Sequence, residues 1–204
     1  MITKHAFPIP IVTSVIDEAI INNSLKLVNK FVESTGFAAP AAPGELLTTF
    51  YKDKNFLGNL DDRDLLNVIN EKSKEFFEIL GFRKHNCFIE ITSWLQFNQP
   101  NSYFARHDHY GALTSGVVYL QTPPNCGNLM FHNPLEARRV TTTFFDRVKH
   151  EDNDYNFNHV SYTPVTGEMI MFESWLQHSV GTNLSNENRI AISFNIWADR
   201  DGKD

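Results

Sequence analysis

The residues of this chain that could do chemistry are a few histidines. His107 and His109 stand two positions apart in the run Arg106-His107-Asp108-His109-Tyr110, and His178 follows near the C-terminus. In an extended strand alternate side chains share a face, so we expect His107 and His109 to point one way and Asp108 the other. Two same-side imidazoles and one from a distant strand can bind a metal and leave further positions open, as a catalytic metal requires.

Arg189 begins a run that alternates between two kinds of side chain. One face is wholly apolar and must be packed, whereas the other is small and polar and suits the lining of a cavity. The apolar set is Ile190, Ile192, Phe194 and Ile196, and the polar set is Arg189, Ala191, Ser193 and Asn195. An arginine at the head of the polar face offers a planar fork for a carboxylate, although a cation at a strand start is often only solvated.

The other histidines and both cysteines carry no comparable signal. We expect the single histidines to be solvated or hydrogen-bonded, and the two cysteines to be small buried hydrophobes, because neither has a partner at CxxC spacing. So few cysteines also favour a reducing cytoplasm over a disulfide framework. These residues are His5, His85, His132, His150, His159, Cys87 and Cys126.

Length and charge exclude several classes of protein. The 204 residues fit a single domain, residues 1–204, and a net charge of -6 without a basic cluster argues against a nucleic-acid partner. No apolar stretch approaches the roughly 20 residues of a membrane span, and the N-terminus lacks the apolar core of a signal peptide. We therefore expect a cytoplasmic protein.

The hydrophobic pattern changes period along the chain. Helical spacing predicts one helix from about Val15 to Val32 and a second from Asp61 or Asp62 to Gly81. Strand-like alternation follows from Ile89, so helices precede about eight strands with no helix between them. This order predicts a mainly β fold, a double-stranded β-helix or jelly roll over about 87–198, with the helices of about 13–82 on one outer face. The further predicted strands are Thr114–Gln121, Asn128–His132, Arg139–Phe145, His159–Pro164, Glu168–Glu173 and Arg189–Ala198.

Three blocks of sequence together resemble a known family. They are His107-x-His109-x5-Ser115-Gly116-Val117-Val118-Tyr119-Leu120, then Gly167-Glu168-Met169-Ile170-Met171-Phe172-x-Ser174-Trp175-Leu176-x-His178, then Arg189-Ile190-Ala191-Ile192-Ser193-Phe194-Asn195. They are similar to the 2-oxoglutarate-Fe(II) oxygenase family of bacteria and tailed phages, which is distantly similar to prolyl hydroxylases. The similarity runs from about Trp94 to Trp197.

The resemblance implies a jelly-roll dioxygenase that uses Fe(II), 2-oxoglutarate and dioxygen to hydroxylate a small molecule or a protein side chain, with release of succinate and CO2. His107, His109 and His178 would bind the metal, and Arg189 would pair with the far carboxylate of 2-oxoglutarate. Tyr119 and Ser193 are candidate second contacts to 2-oxoglutarate. Asn195 could be another, or could orient a metal ligand.

One departure from the broader superfamily leaves the metal ligands open. Most such enzymes pair H-x-Asp or H-x-Glu with a distal histidine, whereas the second position here is His109. Asp108 could replace it if a β-bulge re-aims that carboxylate. Two other functions also stay open: a three-histidine cupin-type metalloenzyme that does not use 2-oxoglutarate, and a jelly-roll binding or structural module. The substrate is undetermined, and an edge strand could pair two chains as a homodimer.

Overall fold

The computed structural model describes residues 7–35, 42–82, 89–135, 150–151 and 156–198. Three helices, α1 to α3, span Glu18–Thr35, Phe56–Leu60 and Arg63–Ile79. Ten strands are described, and in chain order β1 to β10 are Ile11–Val15, Leu47–Thr48, Ile89–Asn98, Phe104–His107, Thr114–Gln121, Leu129–His132, His159–Tyr162, Glu168–Glu173, His178–Val180 and Arg189–Ala198. The predicted strand Arg139–Phe145 lies outside the described residues.

The strands form two antiparallel sheets. The larger sheet has the order β1-β8-β5-β10-β3-β2, and the smaller has the order β4-β9-β6-β7. Chain neighbours are mostly apart within a sheet, because the chain crosses repeatedly from one sheet to the other. This arrangement is the predicted jelly roll.

Two apolar clusters hold the layers together. The side chains of Ile190, Ile192, Phe194 and Ile196 on β10 join the helices in one buried cluster, with Leu65, Ile69 and Phe76 of α3. The alternate β10 residue Ala191 belongs to a second cluster between the sheets, with Val117, Leu129, Phe131 and Val180. The two-faced pattern of β10 therefore separates a helix-covered side from a side that faces the smaller sheet, as predicted.

The helix boundaries follow local chemistry. Asp62 caps α3 because its carboxylate accepts a hydrogen bond from the Leu65 N–H at 3.3 Å. After α3, Gly81 adopts φ 74°, a left-handed conformation that suits glycine and ends the helix. The first helix begins at Glu18 and not near Val15, because residues through Val15 form β1 and pair with β8. None of the described helices is long and apolar enough to cross a membrane.

Several short elements were not predicted. β1 is one of them, and it runs from Ile11 to Val15 along the edge of the larger sheet. β2, α2, β4 and β9 were also missed. Each has five residues or fewer, too short for a hydrophobic period to show.

Candidate active site

The three histidines predicted to bind a metal lie together between the sheets. His107 ends β4 and His178 begins β9, and the two residues are direct partners in the antiparallel pairing of these strands. One ring nitrogen from each of His107, His109 and His178 lies within 4.8 Å of the others. The ring centroid of His178 is 4.3 Å from that of His107 and 5.0 Å from that of His109. The group is therefore compact enough to share one ion.

The way His109 reaches this group differs from the expectation. The strand ends at His107, so strand alternation does not place His109. The backbone N–H of His109 instead donates to the backbone carbonyl of Ser174 at 3.0 Å, and this hydrogen bond fixes the turn after β4 against the loop between β8 and β9. Asp108 in this turn is exposed, and its carboxylate accepts a hydrogen bond from the Gln177 amide at 3.3 Å. Its carboxylate lies outside the histidine group, although a register irregularity does occur in β4 just before it.

Each imidazole is oriented by a hydrogen bond at Nδ1. The Nδ1 atoms of His107 and His178 lie 2.7 Å and 3.0 Å from the carbonyl oxygens of Ala105 and Leu176. The His109 Nδ1 lies 2.6 Å from the Asn195 side-chain oxygen. Because these oxygens can only accept, each Nδ1 carries the proton, which leaves the Nε2 lone pair free. Hydrogen bonds of this kind set the orientation of metal-binding histidines.

A buried network supports His109 in particular. Ser115 on β5 donates to the Asn195 side-chain oxygen at 2.8 Å, and the hydroxyls of Ser115 and Ser174 are 2.7 Å apart. Ser115, Ser174 and Asn195 are all 5% exposed or less. The network thus links β5, β10 and the loop before His178, and it holds Asn195 behind His109. The Asn195 side chain therefore contacts His109, and the orientation of a metal ligand by Asn195 stays a prediction.

Burial keeps the three imidazoles neutral near pH 7. The pKa of His109 is lowered to about 4, first by burial and then by the neighbouring His107. Burial is also the main cause that lowers the pKa of His107 and, more strongly, that of His178, which His107 and His109 lower further. A neutral imidazole is the form that binds a metal, so the site is in its binding form at neutral pH.

Arg189 lies in the same cavity and has no acidic partner among the described residues. Its side chain is 1% exposed, and its two terminal nitrogens donate to the Gly127 carbonyl at 3.0 Å and to the Asn98 side-chain oxygen at 2.9 Å. Gly127 can offer this carbonyl because it adopts φ 87°, a conformation that favours glycine. The buried Nε of Arg189 has no hydrogen-bond partner. A buried cation paired only with neutral groups favours a bound anion.

A cavity connects the histidines to Arg189. Its wall is apolar except for the histidines, Arg189 and a few neutral polar groups, and the lining residues are Gln96, Phe104, His107, His109, Gly116, Val117, Tyr119, Leu129, Phe172, His178, Val180, Arg189 and Ser193. Tyr119 and Ser193, predicted contacts of 2-oxoglutarate, are among them, and burial raises the pKa of Tyr119 to about 12. Asn195 is not. These positions are consistent with a small ligand that reaches from the histidines to Arg189.

Sequence reasoning missed the contribution of β3. Gln96 lines the cavity, and Asn98 is fully buried and binds Arg189. Asn98 pairs with Arg189 in the register of β3 and β10, so the alternation of Gln96 and Asn98 was an available signal. Trp94 is 4% exposed, and its ring lies edge-on to the His109 ring at a centroid distance of 5.6 Å.

The residues present fit an Fe(II) site. Imidazole nitrogens bind iron readily, and three of them leave positions for further ligands. The hydrogen bonds at Nδ1 leave all three Nε2 atoms available, and Arg189, whose Nε has no hydrogen-bond partner among the described residues, lines the same cavity. The donor set therefore suits a divalent metal and an anionic ligand bound together.

Solved structures of known enzymes share the fold of this chain. One is the non-heme alpha ketoglutarate dependent epimerase SnoN from nogalamycin biosynthesis, which is 14% identical to this chain with a TM-score of 0.65. The match covers 93% of this chain and 78% of the SnoN chain. A Pseudomonas putida prolyl-4-hydroxylase is 12% identical with a TM-score of 0.63 and covers 93% of both chains. HygX from Streptomyces hygroscopicus, solved with nickel and 2-oxoglutarate, is 10% identical with a TM-score of 0.57 and covers 93% of this chain and 82% of its own. The chain therefore has the double-stranded β-helix fold of these enzymes.

The sequence match is narrower than the structural one. Residues 92–195 match the family described as "Putative 2OG-Fe(II) oxygenase". This segment is just over half of the chain and contains all three clustered histidines and Arg189. The chain belongs to this family, so it is an oxygenase of the class whose cofactor is Fe(II) and whose co-substrate is 2-oxoglutarate. No curated protein sequence matches the chain.

Proposed function

We propose that this oxygenase hydroxylates a small molecule or a protein side chain, and that it converts 2-oxoglutarate to succinate and CO2 in doing so. The observation that carries the proposal is one cavity lined by three histidines with free Nε2 atoms and by a buried arginine that has no acidic partner among the described residues. Dioxygen is the second co-substrate. Bound Fe(II) would supply the activation of dioxygen and the oxidation that follows.

His107, His109 and His178 would hold the metal through Nε2, because each Nδ1 is engaged by an oxygen. Three neutral ligands leave coordination positions for 2-oxoglutarate and dioxygen. The apolar wall formed by Phe104, Leu129 and other residues would exclude water, which protects a reactive centre from side reactions.

Arg189 would bind the far carboxylate of 2-oxoglutarate. Gly127 and Asn98 hold two of its nitrogens, which keeps the planar group fixed while Nε stays without a protein partner. A fixed guanidinium binds a carboxylate with less loss of side-chain entropy than a free one. Tyr119 and Ser193 line the same part of the fold and would add contacts to this ligand.

The test is succinate formation by the purified protein with Fe(II), 2-oxoglutarate and dioxygen. The wild-type chain should form succinate, and His178→Ala should abolish it, because two imidazoles hold the metal poorly. His159→Ala is the matched control, since His159 is exposed on β7 and outside the histidine group. Succinate formation that survives in His178→Ala would refute the assignment.

Arg189→Ala separates the role of the arginine from that of the metal ligands. This variant should retain the metal but require about tenfold or more 2-oxoglutarate, because a charge-assisted pair of roughly 1.5–3 kcal/mol is lost. Arg63→Ala is the control, because Arg63 is exposed and paired only with Asp61. A three-histidine enzyme that does not use 2-oxoglutarate would bind metal and form no succinate in any variant, and a binding module would bind no metal.

A further inference from the structure

The cavity is short of negative charge. Arg189 is the one residue with a formal charge among those that line it, and no Asp or Glu of the described residues does so. The carboxylates whose charges act on His107 belong to Asp108, which is exposed and bonded to Gln177, and to half-buried Glu45. Solvent screens such groups far more than it screens a charge inside the cavity.

Two other groups that could carry negative charge in this region are neutral. Burial raises the pKa of the Tyr119 phenol to about 12, so its hydroxyl keeps its proton at neutral pH. Burial likewise raises the pKa of the Cys126 thiol, although the charge of Arg189 acts in the opposite direction. The three imidazoles are also uncharged. The described residues thus contribute one positive charge and no negative charge to the inside of the site.

A bound divalent metal would make this imbalance larger. If a carboxylate stood at the position of His109, the charges of the divalent metal, Arg189, this carboxylate and the 2-oxoglutarate dianion would sum to zero. With three neutral imidazoles, the dianion leaves one positive charge uncompensated. The wall around it includes the apolar side chains of Phe104, Leu129 and Val180, and an unpaired charge is costly in such surroundings.

We propose that the site takes up one further monoanion beside 2-oxoglutarate, and that the substrate supplies it as the carboxylate of a small molecule. The inference rests on the proposed function, since it assumes a divalent metal on the three histidines. The surplus positive charge accounts for the carboxylate. A single surplus charge, in a chain of net charge -6, favours a monoanion over a polyanion.

The test measures anion binding and not turnover. The protein is loaded with Co(II) in place of iron and saturated with 2-oxoglutarate in the absence of oxygen. Azide, acetate and acetamide are then titrated into it separately, and binding is followed by the visible spectrum of the bound Co(II). Acetate should bind at least tenfold more tightly than acetamide, its neutral counterpart. Azide should bind at least tenfold more tightly to the wild-type chain than to His109→Asp, which restores a carboxylate, and tenfold corresponds to about 1.4 kcal/mol.

His159→Asp is the matched control, because it adds the same negative charge on an exposed residue of β7. Its azide affinity should equal that of the wild type. If His109→Asp does not retain Co(II), the proposal is tested by the affinities of the wild-type protein for acetate and acetamide alone. Equal affinities for these two compounds, in a protein that binds Co(II) and forms succinate with Fe(II), would overturn this inference and leave the proposed function standing. A wild-type chain that binds no Co(II) would overturn both.

Discussion

Replacement of Asn195 by alanine tests whether the support of His109 matters for metal binding. The side-chain oxygen of Asn195 accepts from the His109 Nδ1–H at 2.6 Å and from the Ser115 hydroxyl at 2.8 Å. The contact with His109 is partly buried and the contact with Ser115 is buried. The Ser115 hydroxyl can accept the His109 proton in the variant, so one donor, the Ser115 hydroxyl, is left without its acceptor. Such a loss costs about 1–3 kcal/mol, and the free energy of unfolding should fall by an amount in this range.

The expected loss of metal affinity is smaller than the loss of both contacts would suggest. The Ser115 hydroxyl lies 2.8 Å from the His109 Nδ1 and can rotate to accept its proton in the variant. Loss of a group that orients a metal ligand typically lowers affinity by about 10–100-fold. We therefore expect about a tenfold loss in Asn195→Ala and a larger one in the double variant with Ser115→Ala.

Two measurements check this prediction. A competition titration with a chelator gives the metal affinity, and nitrogen NMR of the metal-free protein shows which ring nitrogen of His109 carries the proton. Asn195→Asp keeps an acceptor oxygen and should preserve the Nδ1–H form, whereas the double variant should lose it. Wild-type metal affinity together with an unchanged His109 tautomer in the double variant would refute the reasoning.

Three further predictions concern other parts of the site. Asn98→Ala removes the acceptor of one Arg189 nitrogen and should raise the 2-oxoglutarate requirement in succinate assays several-fold with little change at saturation, whereas Asn67→Ala on the exposed face of α3 should not. Gly116→Ala places a methyl group against the Phe194 ring and should lower the free energy of unfolding in urea by about 1–3 kcal/mol. Gly181→Ala is its control, because the added methyl group meets only ordinary contacts. Equal stability of the two variants would contradict the assigned packing at Gly116. The metal-free protein should lose stability as the pH falls from about 6.5 towards 4, because the unfolded chain binds protons at the ordinary histidine pKa while folded His109 has a pKa of about 4. Urea unfolding at two pH values measures this, and the difference should shrink in His109→Gln.

The larger elements could be predicted because their sequences carry their own periods. The bounds of β5, β8 and β10 agree with the strands predicted from alternation, and α3 begins at the predicted cap, Asp62. β5 and β8 are buried almost throughout and stand out as short apolar runs between turn residues, whereas α3 buries one face and shows a helical period. The jelly roll followed from their order, with helices first and strands afterwards.

The strands of the smaller sheet could not be predicted from a hydrophobic period. β4 and β9 have four and three residues, and the pairing of His107 with His178 joins positions far apart in the chain. Pairing of this kind depends on the whole fold and leaves little local pattern. For the same reason the turn that carries His109 was taken for a strand.

The site was predicted where residue type alone was informative and missed where it was not. Histidine and arginine are uncommon enough in strands to be noticed, so His107, His109, His178 and Arg189 were singled out, and the structure places all four around one cavity. Serine is one of the commonest residues, so its type alone singles out no position. The contact of Ser115 with Ser174 therefore became visible only from the folded structure.

The most direct test of the account is a crystal structure of the protein grown without oxygen in the presence of Fe(II) and 2-oxoglutarate. The account predicts one iron, identified by its anomalous scattering, bound to the Nε2 atoms of His107, His109 and His178, with the far carboxylate of 2-oxoglutarate on Arg189. Iron bound by Asp108 in place of His109, or 2-oxoglutarate with no contact to Arg189, would contradict it.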